Sequence, residues 1–187
     1  FDKNNLSSGL GKIGQVAFSP VYSEYAIGEW KTCCLANKEG NAADGLSYEY
    51  NGAAKITEIG KNFPYFLLII KNVFFWEHIK SVRIFSSQNG GMIIPHKDYL
   101  EFEKGFTRLH IPIRTDSLCL NSEDSFVYNM KVGEIWFLEG KEPHSAGSFG
   151  ETGKLSLVID FDPSVKKKLL FKDRAYFEPS MDTESIL

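Results

Sequence analysis

The sequence predicts a mainly β protein, a sandwich or barrel of the jelly-roll kind with a few flanking helices, and two observations point there. Short apolar runs with period-two alternation recur between turn signals from Tyr25 to Phe161, and only Pro64–Lys80 switches clearly to helical spacing. Aromatic residues make up 14% of the 187, with 15 Phe, which suits a β-rich core lined by large side chains.

The elements follow in chain order. Tyr25–Leu35 is strand-like, and Ala36–Gly40 reads as a turn before a polar loop. In Pro64–Lys80, the residues Phe66, Ile69, Ile70, Val73, Phe74 and Glu77 fall at helical spacing, which predicts a helix packed on the outside of a sheet. Ser81–Ser86 is a short strand, Gln88-Asn89-Gly90-Gly91 a strong turn, and Met92–Ile94 the start of another strand. Phe106–Thr115 alternates cleanly, with Thr107, Leu109, Ile111 and Ile113 facing one way and Phe106, Arg108, His110 and Arg114 the other. Phe126–Met130 and Glu134–Leu138 are further strands, and Lys154–Phe161 closes the series with Leu155, Leu157 and Ile159 on one side. A helix over Val165–Phe171 begins the charged tail. The expected organisation is one domain over 1–187, with a core at about 20–162 and the tail at 163–187.

Composition narrows the function classes. With 43% hydrophobic and 24% charged residues the chain is globular rather than disordered or fibrous. A net charge of −3 gives no basic footprint for nucleic acid or an acidic membrane. The longest apolar stretch, Tyr65–Ile70, is far too short to span a bilayer. Cysteines number three, two of them the neighbours Cys33 and Cys34, which argues against a disulfide framework and for a reducing compartment. The chain starts at Phe1 and no signal-peptide pattern follows, so a trimmed N-terminus and a cytoplasmic location are expected.

Only four histidines exist, and three lie between His96 and His144. His96 and Asp98 are two apart, on one side of a strand end, and His144 follows 46 positions after Asp98 in Glu142-Pro143-His144-Ser145. Two imidazoles and one carboxylate are the ligand set of a facial triad, which holds one face of an octahedral Fe(II) and leaves three positions open. The same residues could equally be a strand-end turn, a solvated carboxylate and a loop histidine. Arg108 and His110 share a strand face opposite Leu109 and Ile111. Either that face meets solvent, or it lines an interior in which a buried arginine requires an anion. Arg83 poses the same choice, Trp30 and Trp136 are core or pocket wall, and Lys154 places a cation ten residues beyond His144.

Taken together, Ile93-Ile94-Pro95-His96-Lys97-Asp98-Tyr99-Leu100-Glu101, Phe106-Thr107-Arg108-Leu109-His110, Gly133-Glu134-Ile135-Trp136-Phe137-Leu138 and Pro143-His144-Ser145-Ala146-Gly147 closely resemble the bacterial L-proline cis-4-hydroxylases. These are Fe(II)/2-oxoglutarate-dependent oxygenases of the aspartyl/asparaginyl β-hydroxylase-like group. Tyr22-Ser23-Glu24-Tyr25 through Gly28-Glu29-Trp30 is similar too, and the likeness covers roughly residues 20 to 162. It implies a double-stranded β-helix, the cupin-like jelly roll. It also implies Fe(II) on His96, Asp98 and His144, with 2-oxoglutarate and O2 as co-substrates and ascorbate as a stimulant. By the same likeness His110 would sit by the co-substrate and Lys154 would grip its far carboxylate, where the family usually has arginine. Lysine supplies the charge but not the bidentate fork, which implies weaker co-substrate binding or a reshaped pocket. Arg108, with Arg83 and Trp30, would bind the substrate, a free small amino acid such as L-proline or L-pipecolate; no oligomeric state is implied. Two readings from other classes stand beside this one. The first is a cupin-like isomerase or hydrolase with Zn²⁺ or Mn²⁺ on the same ligands, and the second a non-catalytic jelly-roll binding module.

Overall fold

A computed structural model describes residues 3–98, 107–138 and 140–173. In chain order the elements are α1 (Lys3–Ile13), β1 (Ser19–Pro20), β2 (Ala26–Ile27), β3 (Trp30–Asn37), β4 (Lys55–Ile56), α2 (Glu58–Lys61), α3 (Pro64–Val73), β5 (Ile79–Ser87), β6 (Gly91–His96), β7 (Thr107–Arg114), β8 (Cys119–Glu123), β9 (Phe126–Asn129), β10 (Trp136–Leu138), β11 (His144–Ser148) and β12 (Lys154–Phe161). They form two antiparallel sheets. The larger runs β1-β3-β5-β12-β7-β10, with β4 paired to β3, and the smaller runs β2-β6-β11-β8-β9. Two facing antiparallel sheets with few helices are the jelly-roll architecture expected from the strand pattern.

The two faces of the large sheet differ, and that difference creates the site. Leu109, Ile111 and Ile113 of β7 and Leu155, Leu157, Ile159 and Phe161 of β12 turn outward into the main core. There they meet Phe63, Phe66 and Ile70 from α3 and the turn before it. The alternate residues, Arg108 and His110 on β7 and Lys154, Ser156, Val158 and Asp160 on β12, face the small sheet. The apolar cluster on that side is small (Val21, Trp30, Phe85, Ile93 and Val158), so the rest of the space between the sheets is polar.

Several expected boundaries move, each for a physical reason. The strand predicted over Tyr25–Leu35 is two strands in different sheets. β2 pairs with β6 and β3 with β5, and the break falls at Gly28, whose φ of +70° suits glycine. The turn expected at Ala36–Gly40 begins later, because Ala36 and Asn37 still belong to β3 and pair with Ile56 and Lys55. The helix expected over Pro64–Lys80 stops at Val73, and Trp76–His78 is a single 3₁₀ turn. Phe74 keeps helical spacing in the sequence, yet its backbone is extended so that its ring packs on Phe161 and Phe171. The strand after it starts at Ile79 rather than Ser81. The helix expected at Val165–Phe171 is only a 3₁₀ turn at Lys167–Leu169, while Leu170 and Phe171 are pulled into the core. Phe106 and the tail beyond residue 173 lie outside the described residues. Among the described residues, no helix is long and apolar enough to cross a membrane.

The short helix α2 shows how tightly the outer layer docks. The Thr57 hydroxyl donates to the Cys34 carbonyl at 2.8 Å and accepts from the Gly60 amide at 2.9 Å, capping the helix and tying it to β3. A β-carbon on Gly60 would collide with the Leu35 carbonyl oxygen. Gly60→Ala is therefore expected to cost about 3 kcal/mol, the upper end of overpacking losses, and to lower the melting temperature accordingly. An unchanged melting temperature would contradict the packing described.

Candidate metal centre and substrate cavity

His96 is the last residue of β6, and His144 opens β11 directly opposite it, so the sheet register alone brings the two imidazoles together. Their ring centroids are 4.3 Å apart. A register shift between His144 and Ala146 bends β11 at this point, a common device for re-aiming a side chain. Asp98 follows two residues beyond His96, and its backbone amide is fixed by the Gly140 carbonyl at 2.8 Å. Its carboxylate oxygens lie 3.5 Å from His96 Nε2 and 3.4 Å from His144 Nε2. One ligand atom from each of the three falls within 4.8 Å of the others, which is the spacing a single ion requires.

The surroundings of the triad suit a metal. His96 Nδ1 donates to the Ile94 carbonyl at 2.8 Å and His144 Nδ1 to the Glu142 carbonyl at 3.0 Å. A carbonyl can only accept, so both rings donate through Nδ1 and turn Nε2 toward Asp98. Tyr25 stacks on the His96 ring, with centroids 5.2 Å apart and planes 14° from parallel, and fixes its plane. Burial disfavours the charged form of Asp98, but Arg108 and the two imidazoles outweigh it and hold the carboxyl well below the usual carboxylate range. A carboxylate kept ionised beside two imidazole nitrogens is an anionic N/O donor set suited to a divalent ion.

Behind the triad lies a cavity bounded by both sheets. Its walls include Trp30, Arg108, His110, Lys154, Phe85 and Ile93. Of the substrate and co-substrate residues expected from sequence, Trp30, Arg108, His110 and Lys154 line it. Arg83 does not. Its guanidinium is fully buried behind the wall, bonded to Asp160 at 2.5 Å, the Tyr22 hydroxyl at 3.1 Å and the Gly45 carbonyl at 3.0 Å. The expected substrate contact at Arg83 is thus replaced by an internal one. Trp136 also lies elsewhere, stacked on Tyr128 where the edges of the two sheets meet.

Sequence reasoning missed the centre of this network. Asp160, fully buried, takes Arg83 on one side and Arg108 on the other, with Arg108 Nε to Asp160 Oδ1 at 2.7 Å. Arg108 continues to Asp98 through Nη1 to Oδ2 at 2.7 Å. An ionic chain therefore runs from the protein interior to a metal-ligand candidate. The signal was present, because period-two alternation puts Asp160 on the same face as Lys154. Asn121 was missed as well, on a strand too polar to be read as one. Its amide oxygen accepts from Lys154 Nζ at 2.5 Å. Burial pushes Lys154 down from 10.5 to about 8, and burial together with Lys154 and Arg108 lowers His110 far enough to keep it neutral.

A second, open groove leads to the triad from outside, walled by Tyr22, Tyr25, Leu46, Tyr48 and Asp98. Tyr22 sits at a φ of 55°, a strained conformation for an aromatic residue, and its carbonyl accepts from the Tyr25 and Ala26 amides. That tight turn sets Tyr22 against both the cavity and the groove, and Tyr25 in the groove with its ring on His96.

Comparison with known proteins gives a consistent picture. Residues 9–163 match the model of the family described as aspartyl/asparaginyl beta-hydroxylase. An L-proline cis-4-hydroxylase of Rhizobium meliloti (strain 1021) is 37% identical over 162 residues, covering 87% of this chain and 58% of that protein. An L-proline cis-3-hydroxylase of a Streptomyces species is 31% identical over 190 residues, covering 98% and 65%. The chain thus spans about three fifths of the length of these curated relatives, 58% and 65%. Among solved structures, an oxidoreductase of the 2OG-Fe(II) oxygenase family from Burkholderia pseudomallei shares the fold, with a TM-score of 0.59 at 10% identity over 87% of this chain and 80% of that one.

Proposed function

This chain belongs to the aspartyl/asparaginyl β-hydroxylase family, and from that premise we propose that it is an Fe(II)- and 2-oxoglutarate-dependent dioxygenase hydroxylating a small free amino acid, L-proline first and L-pipecolate second. The observation that carries the reading is the placing of His96, Asp98 and His144 at the mouth of a cavity that also holds buried Arg108 and Lys154. When bound, Fe(II) with 2-oxoglutarate and O2 supplies an oxidative decarboxylation that yields succinate, carbon dioxide and the hydroxylated product.

The residues of the chain divide the remaining work. His96, Asp98 and His144 hold the metal, oriented by the Ile94 and Glu142 carbonyls and by the Tyr25 ring. Lys154 binds the far carboxylate of 2-oxoglutarate, with His110 beside it as a neutral donor or acceptor. Arg108, held in place by Asp160, anchors the carboxylate of the amino acid. Trp30, Phe85, Ile93 and Ala146 offer apolar walls to an aliphatic ring and exclude water from it. Electrostatics agree with this division. The buried cations Arg83, Arg108 and Lys154 outnumber the carboxylates Asp98 and Asp160, and a divalent ion adds to the excess, so the interior favours anionic ligands. The location proposed is the cytoplasm, supported by three cysteines that are all buried and unpaired.

The test is succinate formation from 2-oxoglutarate with Fe(II) and ascorbate, with and without a panel of free amino acids. A several-fold rise with proline or pipecolate is expected. Iron-loaded protein that forms no succinate under any condition would overturn the reading. Turnover also carries a pH signature. In the free protein the Lys154 ammonium loses its proton as pH rises through about 8, and with it the attraction for a carboxylate. Cys119 opposes that loss, and neutral His110 contributes no charge. The value of kcat/KM for 2-oxoglutarate should therefore fall above about pH 8, while kcat at saturating 2-oxoglutarate changes less. A flat kcat/KM from pH 7 to 9 would show that Lys154 does not bind the co-substrate.

A further inference from the structure

Arg83 lies behind the cavity wall, yet three ligand-facing parts of the site rest on its guanidinium. Nη1 donates to the Tyr22 hydroxyl at 3.1 Å and to the Gly45 carbonyl at 3.0 Å. Tyr22, in its strained turn, and Gly45 both wall the groove that leads to the triad. The guanidinium carbon also lies 4.9 Å from the centre of the Phe85 ring, which walls the cavity. On its other side, Nη2 donates to Asp160, the carboxylate that fixes Arg108. A second tie runs in parallel. The Ser47 hydroxyl donates to that of Ser81 at 3.1 Å, and Ser81 donates to Asp160 at 2.9 Å. The arrangement depends on arginine. Its planar fork presents several donors in fixed directions, so one nitrogen can hold Asp160 while the other holds Tyr22 and Gly45. A lysine is a compact point charge and cannot span both.

We propose that Arg83 is a positioning residue for the amino acid, fixing the Tyr22 turn, the Gly45 segment and the Phe85 ring relative to Arg108. This role rests on the function proposed above and adds a residue that does not touch the substrate. Asp160 lies between the two arginines, so the groove walls and the carboxylate anchor share one reference point. A substrate ring held by its carboxylate at Arg108 is thereby held against walls set by Arg83. Loosening Arg83 leaves the metal ligands and Lys154 in place but lets the substrate ring shift. A misplacement of about 1 Å at a reacting carbon can cost about a hundredfold in rate. Oxidation of 2-oxoglutarate to succinate and carbon dioxide then runs without hydroxylation. Ascorbate supplies the two electrons otherwise drawn from the C–H bond, and the second oxygen atom leaves as water.

The experiment compares wild type, Tyr22→Phe, Arg83→Lys and the double variant with L-proline. Two quantities are read. One is the anaerobic Kd of L-proline on protein loaded with Fe(II) and 2-oxoglutarate, and the other is the ratio of succinate to hydroxylated proline. Tyr22 is half-buried and its substitution removes a single oxygen, so the fold should hold, with circular dichroism as the control. Tyr22→Phe should raise the proline Kd by about threefold to tenfold, and Arg83→Lys by about tenfold or more. In both, succinate should exceed hydroxylated product by about twofold or more, while the Kd of 2-oxoglutarate stays at its wild-type value. Because the Tyr22 hydroxyl acts through Arg83, the double variant should match Arg83→Lys rather than multiply the two losses. A purely structural role would lower stability and move neither the proline Kd nor the product ratio. An unchanged Kd and ratio in Tyr22→Phe would overturn the role whether or not Arg83→Lys folds, and so would multiplied losses in a folded double variant. A wild-type protein that neither binds nor hydroxylates any amino acid of the panel would instead overturn the proposed function itself.

Discussion

Asp98→Ala is expected to abolish iron-dependent turnover while leaving the fold in place. The substitution removes the anionic ligand and leaves two neutral imidazoles, which hold a divalent ion only weakly. Losing even an outer-sphere partner of a metal ligand costs 10–100-fold in affinity, so loss of a ligand should exceed about a hundredfold. The fold should survive because Asp98 lies just past a strand end, at the mouth of the cavity, and Arg108 keeps its bonds to Asp160. Fe(II) titration and succinate assays read the effect, with the circular dichroism spectrum as the control for folding. Normal turnover in this variant would refute the metal assignment.

The largest effect on stability is expected at Asp160. This carboxylate is fully buried and shared by two buried arginines, and it completes its hydrogen bonding through the Ser81 hydroxyl at 2.9 Å. Asp160→Asn keeps the shape but leaves Arg83 and Arg108 with no compensating charge between them. Breaking a buried ion pair from one side costs about 3–5 kcal/mol, a large share of the stability of a typical domain. The same residue gives the protein an acid limit. Although burial opposes ionisation, Arg108 and Arg83 hold the Asp160 carboxyl well below its usual range. Its contribution is therefore complete above the unfolded pKa of about 4 and is lost as pH falls below it toward the depressed folded value. Urea denaturation of wild type and variant at neutral pH and near pH 3 should show a gap that narrows in acid. An equal gap at both values would place the stabilisation elsewhere.

Features written in local periodicity were legible in the sequence. Alternation in Phe106–Thr115 and Lys154–Phe161 separated the outward core residues from Arg108, His110 and Lys154, and the two sheets place them so. The His96, Asp98 and His144 constellation was legible as residue types at plausible strand ends, although their convergence within 4.8 Å depends on the pairing of β6 with β11. What stayed hidden was set by tertiary contacts. Helix α1 contains Gly9 and Gly11, which weaken helix propensity, yet Gly9 lets the helix close on the ring of Phe66. Phe74 imitates helical periodicity because a core position, not a helix, requires it. Arg83 could not be told from Arg108 by pattern. The two differ because Asp160, the Tyr22 hydroxyl and the Gly45 carbonyl engage the Arg83 guanidinium behind the wall, while Arg108 reaches past Asp160 to the triad. Asn121 lies on a strand with little apolar character, so only its partner Lys154 reveals it.

In the proposed function, oxidation of 2-oxoglutarate is coupled to hydroxylation of an amino acid at His96, Asp98 and His144. The most direct test measures succinate, consumed O2 and hydroxylated proline together in one Fe(II)-dependent reaction, with Asp98→Ala in parallel. One-to-one-to-one stoichiometry is expected in the wild type, and none of the three signals above background in the variant. Hydroxylated product without succinate, or equal signals from both proteins, would contradict it.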